Sequence, residues 1–266
     1  MLRSAENQPT PNPNSANKKV NRRSMLRLIG MGAAAMVSGS CGGATTSSTS
    51  TSSTTATSTS SSTTCSVTPE GEEGPYFVDD SATGFNRSDI RANLDGSNTQ
   101  AGIPFTLKVY VYDSKNSCAA MPNVQVDIWH CNAEGVYSAE DVESTVGETW
   151  LRGYQLTDAN GLVTFTTIVP GWYEGRTTHI HLRLRSTYDS SDTSGTNTTQ
   201  LFFDQTLMDT IYTTIEPYSS HGKDSTTNTT DHVYTEETDG EMLMTVSGDT
   251  TNGYTATFKI NLPISS

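Results

Sequence analysis

The segment covering residues 169–185 constrains the fold of this chain more than any other stretch. Residues 179–185 alternate strictly between polar and aliphatic side chains, which is the pattern of a β-strand with one buried face. Side chains two positions apart share a face, so His179 and His181 project the same way. Their Cα atoms would lie about 6.5–7 Å apart, which lets both imidazoles reach one metal ion.

Two alternating histidines do not by themselves establish a metal site, because they could be polar residues on a solvated face. Just upstream, Pro170-Gly171 is a turn signal that delivers Tyr173 and Arg176 beside the histidines. A phenol, a guanidinium and two imidazoles in so short a stretch favour a functional site over a solvated face.

Many short strand-like segments separated by turns predict the fold class, an all-β sandwich of mostly antiparallel strands. The helical period is weak throughout, and only residues 209–215 suggest a short helix. Besides the histidine segment, the predicted strands are 105–112, 124–129, 154–157, 162–168, 199–203, 241–247 and 254–262.

The N-terminal 64 residues predict targeting rather than a folded core. Residues 1–41 contain Arg22-Arg23 ahead of a short Gly/Ala-rich apolar run, as in a twin-arginine export signal. The alternative is a transmembrane anchor, but the run is far shorter than the ~20 residues that span a bilayer. Cys41 ends the run and resembles a lipoprotein cysteine, with plain signal cleavage nearby as the alternative. Localisation is therefore expected to be periplasmic, secreted or at the cell surface.

Residues 42–64 are rich in Ser and Thr, and such a tract cannot bury enough apolar area to offset its ordering entropy. We therefore expect a flexible linker, followed by one folded domain over residues 65–266.

Charge excludes some partners. The formal net charge is −13, and six of the 16 basic residues but only one of the 29 acidic residues lie within residues 1–41. The rest of the chain therefore has 10 basic and 28 acidic residues and a charge near −18. Nucleic acids and anionic membranes require basic patches, so neither is expected as a partner.

Three cysteines remain in the predicted domain, and export favours a disulfide between two of them. Cys65 and Cys118 lie in loop-like surroundings and are the favoured pair, although connectivity cannot be read from sequence. Cys131 would then be a buried thiol.

Several separate blocks of the chain together resemble the intradiol ring-cleavage dioxygenases, and within them the exported, single-domain subgroup. The likeness covers essentially Cys65 to the C-terminus. The blocks are Glu73-Gly-Pro-Tyr76, Asp127-Ile-Trp-His-Cys-Asn-Ala-Glu-Gly-Val-Tyr-Ser138, Pro170-Gly-Trp-Tyr173, Arg176-Thr-Thr-His-Ile-His181 and Thr199-Gln-Leu-Phe-Phe203.

The resemblance implies a non-haem Fe(III) held by Tyr137, Tyr173, His179 and His181, with Tyr137 and His179 equatorial. It also implies that Tyr173 leaves the metal and carries off a proton when substrate binds. Two phenolates are hard anionic donors, which with two imidazoles suit ferric iron. Alternatively, each tyrosine could be a core aromatic residue with a hydrogen-bonded hydroxyl.

The resemblance further assigns Arg176 and Gln200 to the substrate ring, where they would stabilise developing charge. The alternatives are that Arg176 only pairs with a carboxylate and that Gln200 satisfies a strand edge. The implied reaction opens catechol-type aromatics with O2 to cis,cis-muconate-type products. A non-catalytic β-sandwich binding module at the cell surface, and a zinc or copper enzyme using the same histidines, are the competing interpretations.

The remaining histidines are expected to lie outside the ligand set. His130 opposes Trp129 on an alternating strand and is interpreted either as structural or as a residue that supports the metal ligands from behind. His221 and His232 lie in a polar Ser/Thr/Asp-rich loop and are expected to be solvated. Trp129 and Trp172 are expected to be core and pocket walls.

Overall fold

The computed structural model describes residues 65–78, 84–185 and 196–263. The predicted export signal, Cys41 and the Ser/Thr linker lie outside the described residues. No helix in the described part of the chain is long and apolar enough to cross a membrane.

Nine strands and three short helical segments make up the described fold. The strands are β1 (Pro104–Asp113), β2 (Ala119–Ala120), β3 (Gln125–Trp129), β4 (Arg152–Leu156), β5 (Leu162–Ile168), β6 (His179–Arg185), β7 (Thr196–Phe202), β8 (Val246–Asp249) and β9 (Gly253–Leu262). The helical segments are α1 (Gln205–Thr214), α2 (Tyr218–His221) and a π-helical turn (Val233–Glu237).

The strands form two sheets. In the first sheet the order is β2-β1-β9-β8. Strand β5 pairs with residues 104–110 of β1, and the short β2 pairs with residues 112–113 of the same strand. The β1–β9 pair is parallel, whereas the other pairs of this sheet are antiparallel. The second sheet has the order β4-β3-β6-β7 and is antiparallel throughout.

Side chains from both sheets form one core between them, which confirms the predicted β-sandwich. Alternate residues of β1 are buried, as the period-2 pattern requires. The buried aliphatic and aromatic residues that β1, β3 and β6 contribute to this core are Phe105, Leu107, Val109, Val111, Val126, Ile128, Ile180, Leu182 and Leu184.

Two element predictions needed correction. The predicted strand 241–247 was wrong over most of its length, because β8 begins only at Val246. Met242 and Met244 are buried, as the alternation suggested, but their backbones bond only to Phe202, so no ladder develops. The predicted helix 209–215 begins earlier, at Gln205, because the Asp204 side chain accepts a hydrogen bond from the Leu207 backbone amide and caps it.

The disulfide prediction is confirmed. Cys65 and Cys118 are bonded, and they join the first described residue to the turn between β1 and β2. Cys131 is a buried free thiol.

Candidate metal centre

His179 and His181 lie on the face of β6 that points away from the sandwich core. The residues between and after them, from Ile180 to Leu184, alternate into the core on the other face. Trp129 is the register partner of His181 on β3, and the two rings stack with centroids 4.8 Å apart and planes 4° from parallel. Both histidines are buried although they are outside the main core.

Two glycines bring the tyrosines to these histidines. The loop after β3 carries Tyr137, and the turn before β6 carries Tyr173. A Cβ at Gly135 would lie 2.0 Å from the Trp172 carbonyl oxygen, and one at Gly171 would lie 2.5 Å from a carbonyl oxygen of the facing loop. Only residues without a side chain allow the loop and the turn to pack this closely.

The structure brings all four predicted metal ligands together. Tyr173 Oη lies 3.3 Å from His179 Nε2, and that nitrogen lies 3.0 Å from His181 Nε2. The Tyr137 ring centroid lies 5.6 Å from that of Tyr173 and 6.3 Å from that of His181.

The protonation states of the two histidines suit them to bind a metal ion through ring nitrogens. The Thr177 carbonyl can only accept, so His179 Nδ1, 2.6 Å away, carries the hydrogen and leaves Nε2 bare. Burial, followed by the nearby Arg176 charge, lowers the pKa of His179 to about 3. Burial and the neighbouring His179 lower the pKa of His181 well below its usual value. Both rings are therefore neutral at physiological pH, as metal ligation requires.

The two buried phenols can ionise only beside a positive ion. Burial raises the pKa of both Tyr137 and Tyr173 above the usual value of 10.0, so without a positive ion they remain protonated. The fully buried Tyr137 Oη makes no hydrogen bond of good geometry among the described residues, although the Tyr173 hydroxyl is near enough to influence its pKa. Two neighbouring buried phenols beside two neutral imidazoles fit a bound Lewis-acidic metal ion, which would satisfy both oxygens as phenolates.

Arg176 lies beside this cluster and is held by a buried carboxylate. Its Nε donates to Asp231 Oδ2 at 2.8 Å, and the same oxygen accepts from the Thr177 amide at 2.9 Å. Burial is the largest single influence and opposes the charge on Arg176, but the hydrogen bond and charge of Asp231, with smaller contributions from Tyr173 and Glu72, together outweigh it and raise the pKa of Arg176. Arg176 therefore carries its charge within an ion pair.

Gln200 faces the same site from β7, where it is the register partner of His181. Its Oε1 accepts from Arg176 and its Nε2 donates to the Glu72 carbonyl oxygen at 2.9 Å. Glu72 also accepts from Arg176 Nη1 at 3.2 Å through its carboxylate. Arg176 and Gln200 are thus part of one connected polar network.

A covering segment (residues 72–77) lies over the histidines and tyrosines. A Cβ at Gly74 would lie 3.1 Å from His181 Cε1, so the backbone passes directly over that ring. Tyr76 stacks on Tyr137 with ring centroids 4.2 Å apart and meets the Tyr173 ring edge-on.

Sequence patterns did not indicate Asp231 or Glu72. Asp231 is one carboxylate in a Ser/Thr/Asp-rich loop, 55 residues from its partner Arg176, and no periodic signal distinguishes it. Glu72 is one of three glutamates in Glu70-Gly-Glu-Glu73. Tyr76 does lie within the Glu73-Gly-Pro-Tyr76 block, although no role was assigned to it.

His130 is structural, as expected. Its Nδ1 donates to the Cys131 carbonyl oxygen at 2.8 Å, and its Nε2 accepts from the Thr167 hydroxyl at 2.7 Å. Burial lowers the pKa of His130 to about 4 and raises that of the Cys131 thiol. The Cys131 thiol lies 3.5 Å from the Gly171 carbonyl oxygen, so His130 and Cys131 together support the turn that carries Tyr173.

His221 and His232 are exposed, as expected, although they belong to α2 and to the start of the π-helical turn rather than to a loop. Glu72, His232 and Glu237 each place one potential ligand atom within 4.8 Å of the others. They do so at the exposed rim, where such groups are common without an ion.

A cavity of about 330 Å³ borders the ring of Tyr173. Trp172 forms one of its walls and donates its indole N–H to the Gly222 carbonyl oxygen at 2.8 Å. This agrees with the expectation that Trp172 is a pocket wall.

Comparison with known proteins supports a family assignment. The dioxygenase family model Dioxygenase_C matches residues 72–247, which include the covering segment and all six predicted site residues. The chain belongs to the intradiol ring-cleavage dioxygenase family.

Family relatives resemble this chain to different extents. An intradiol ring-cleavage dioxygenase from Tetranychus urticae superposes with a TM-score of 0.63 at 26% identity, over 76% of this chain and 96% of that one. The dioxygenase domain of a carbohydrate-binding fusion from Streptomyces sp. SirexAA-E gives 0.52 at 30% identity, over 75% and 100%.

A catechol 1,2-dioxygenase from Acinetobacter baylyi is 32% identical over 108 residues, which are 41% of this chain and 33% of the relative. This chain thus spans about a third of the length of the curated relatives it matches.

Proposed function

We propose that this protein is a non-haem Fe(III) dioxygenase that cleaves catechol-type aromatics between their two hydroxylated carbons. The reaction adds both atoms of O2 to the ring and gives a cis,cis-muconate-type diacid. The observation that supports the proposal is the convergence of two buried phenols and two neutral imidazoles, with the Tyr137 oxygen making no hydrogen bond of good geometry among the described residues.

Tyr137, Tyr173, His179 and His181 would hold the metal. Ferric iron would supply Lewis acidity, which keeps both tyrosines ionised before substrate binds and draws electron density from a bound catechol. Tyr173 is the more exposed tyrosine, whereas Tyr137 is fully buried. We therefore assign to Tyr173 Oη the uptake of a proton from a catechol hydroxyl, because it can move without opening the core.

Arg176 and Gln200 would face the substrate ring. Arg176 is fixed by Asp231, so its positive charge is in place before the reaction begins. Although carboxylates balance its charge, preorganised N–H groups of the guanidinium beside the ring would stabilise, at hydrogen-bond range, negative charge that develops there. Gln200 orients the guanidinium through its Oε1. The covering segment (residues 72–77) would exclude water from the face above His181.

Metal-loaded protein provides the test. We expect a visible tyrosinate-to-iron charge-transfer band and O2 uptake with catechol. Tyr173→Phe should shift the band and lower turnover, while Tyr110→Phe, on the half-buried outer side of β1, should change neither. A colourless preparation that contains another metal would favour the zinc or copper enzyme. A colourless preparation that is inert with catechol would favour the binding module.

We also propose that the protein is exported, on the basis of Arg22-Arg23 and the short apolar run that follows. Changing both arginines to lysine should retain the protein in the cytoplasm, as measured by cell fractionation. Changing Cys41 to Ser should release it from membranes if that cysteine is lipidated.

A further inference from the structure

We infer that Glu72 is a specificity-determining residue that selects against catechols with an anionic ring substituent. This inference rests on the proposed function and concerns the ring substituent only. Three observations support it: the position of Glu72 in the covering segment, the pairing of Arg176 with two carboxylates, and the exposure of the Glu72 carboxylate.

Glu72 begins the covering segment that passes over the candidate metal ligands. Its carbonyl oxygen accepts a hydrogen bond from Gln200, and two residues later a Cβ at Gly74 would lie 3.1 Å from His181 Cε1. Its carboxylate lies 3.2 Å from Arg176 Nη1. The side chain therefore stands between solvent and the guanidinium proposed to face the substrate.

The positive charge of Arg176 is already matched. Asp231 binds its Nε at 2.8 Å and also approaches Nη2, while Glu72 binds Nη1. One guanidinium and two carboxylates leave a local charge of about −1. A substrate carboxylate could recruit Arg176 only by breaking one of these pairs.

The two carboxylates differ in what they present to an incoming molecule. The Asp231 side chain is fully buried, whereas 40% of the Glu72 side chain is exposed. Glu237 adds a further carboxylate, which accepts from the Glu72 amide at 2.7 Å. His232 Nε2 lies 3.5 Å from Glu72 Oε1, but even with His232 counted as a cation, Arg176, Asp231, Glu72 and Glu237 leave a net charge of −1. The charge at this rim is therefore negative, which favours neutral and cationic ring substituents.

The chain offers a matched control in the adjacent residue. Glu73 has the same charge and a similar exposure of 41%, but it pairs with Arg183 at 3.1 Å rather than with Arg176. Glu73→Gln and Glu72→Gln thus change the net charge of the protein equally. Only Glu72→Gln changes the charge beside Arg176.

The experiment uses the full iron-loaded chain with catechol (neutral), protocatechuate (carboxylate) and dopamine (ammonium). kcat/KM is measured by O2 uptake, and Kd by calorimetry without O2. Glu72→Gln should raise the ratio of kcat/KM for protocatechuate to that for catechol by about fivefold, which is the effect of one unit charge in a partly exposed site. The same variant should lower the ratio of kcat/KM for dopamine to that for catechol. Glu73→Gln should shift either ratio by less than about twofold.

Ionic strength provides a second measurement that needs no variant. Added salt screens the rim charge, so the wild-type protocatechuate-to-catechol ratio should rise with salt, and it should rise less in Glu72→Gln. Equal ratios in wild type and Glu72→Gln, or wild-type preference for protocatechuate, would overturn the inference alone. Failure of wild type to bind or turn over any of the three would overturn the proposed function and this inference together.

Discussion

Asp224 is a buried carboxyl group that lies outside the candidate metal centre. Its Oδ1 accepts from the Thr226 amide at 2.7 Å, whereas its buried Oδ2 has no partner among the described residues. Burial raises the pKa of Asp224 from 3.8 to about 6. At neutral pH the folded protein therefore holds an ionised carboxylate that would be more stable in water.

We expect Asp224→Asn to stabilise the fold in a pH-dependent way. Between about pH 4 and pH 6 the folded state binds more protons at this site than the unfolded state, so the free energy of unfolding falls as pH rises. Asn cannot ionise, and at about pH 8 it should increase the free energy of unfolding by about 1–2 kcal/mol. Near pH 4 the two proteins should be equal.

Urea unfolding at both pH values measures this difference. The exposed Asp141→Asn serves as the control and should be neutral at each pH. Stabilisation by Asp224→Asn that is the same at both pH values would show that ionisation is not the cause.

Residue patterns in the sequence brought Tyr173, His179 and His181 together, whereas Tyr137 was identified only through the resemblance to the dioxygenase family. The alternation of residues 179–185 placed both histidines on one face, which the structure confirms. The sequence could not identify Asp231 or Glu72, because an ion pair between distant segments depends on the tertiary fold and not on local periodicity. The long-range acidic partners of Arg176 are thus the part of the site that required coordinates.

At the scale of elements, helix α1 supports the turn that carries Tyr173 and Arg176. Its residue Tyr212 is buried and donates to the Pro170 carbonyl oxygen at 3.1 Å. Because that donor is used, the Thr178 hydroxyl donates to Tyr212 Oη in turn. One phenol thus holds the residues on both sides of the turn.

We expect Tyr212→Phe to loosen this turn specifically. The variant leaves a buried carbonyl and a buried hydroxyl without partners, which should lower the free energy of unfolding by about 1–3 kcal/mol. Hydrogen–deuterium exchange should also become faster in peptides covering residues 170–178. Asp204→Ala, which removes the α1 N-cap, is the control and should cost about 1 kcal/mol. Equal exchange at residues 170–178 in the two variants would argue against a role for Tyr212 in holding the turn.

Strands were predictable where hydrophobic alternation and backbone pairing coincide, as in Leu162–Ile168 and His179–Arg185. Around residues 241–245 alternation reflects burial alone, because only Phe202 is available for pairing there. Helix α2 and the π-helical turn had no sequence signal. They are anchored by tertiary burial, as at Tyr218, whose hydroxyl donates to the Val169 carbonyl oxygen at 2.7 Å.

At the scale of the whole molecule, one covalent link ties the start of the described chain to the first sheet. Cys65 and Cys118 are 53 residues apart in sequence. Beyond Cys65, backbone bonds from Thr68 to Asn261 and from Gly71 to Thr198 guide the chain across both sheets to the covering segment. The link therefore restricts the unfolded chain and also fixes the beginning of the path that leads to the site.

We expect the double variant Cys65→Ser, Cys118→Ser to lower the free energy of unfolding by about 3–4 kcal/mol, because a link across a loop of this length removes chain entropy from the unfolded state. Urea unfolding with and without a reductant measures the effect. Reductant should bring wild type to the level of the double variant and leave the double variant unchanged. Cys131 is buried and unpaired, so it should contribute nothing to this difference. A wild type that is insensitive to reductant under unfolding conditions would show that the link does not contribute to stability.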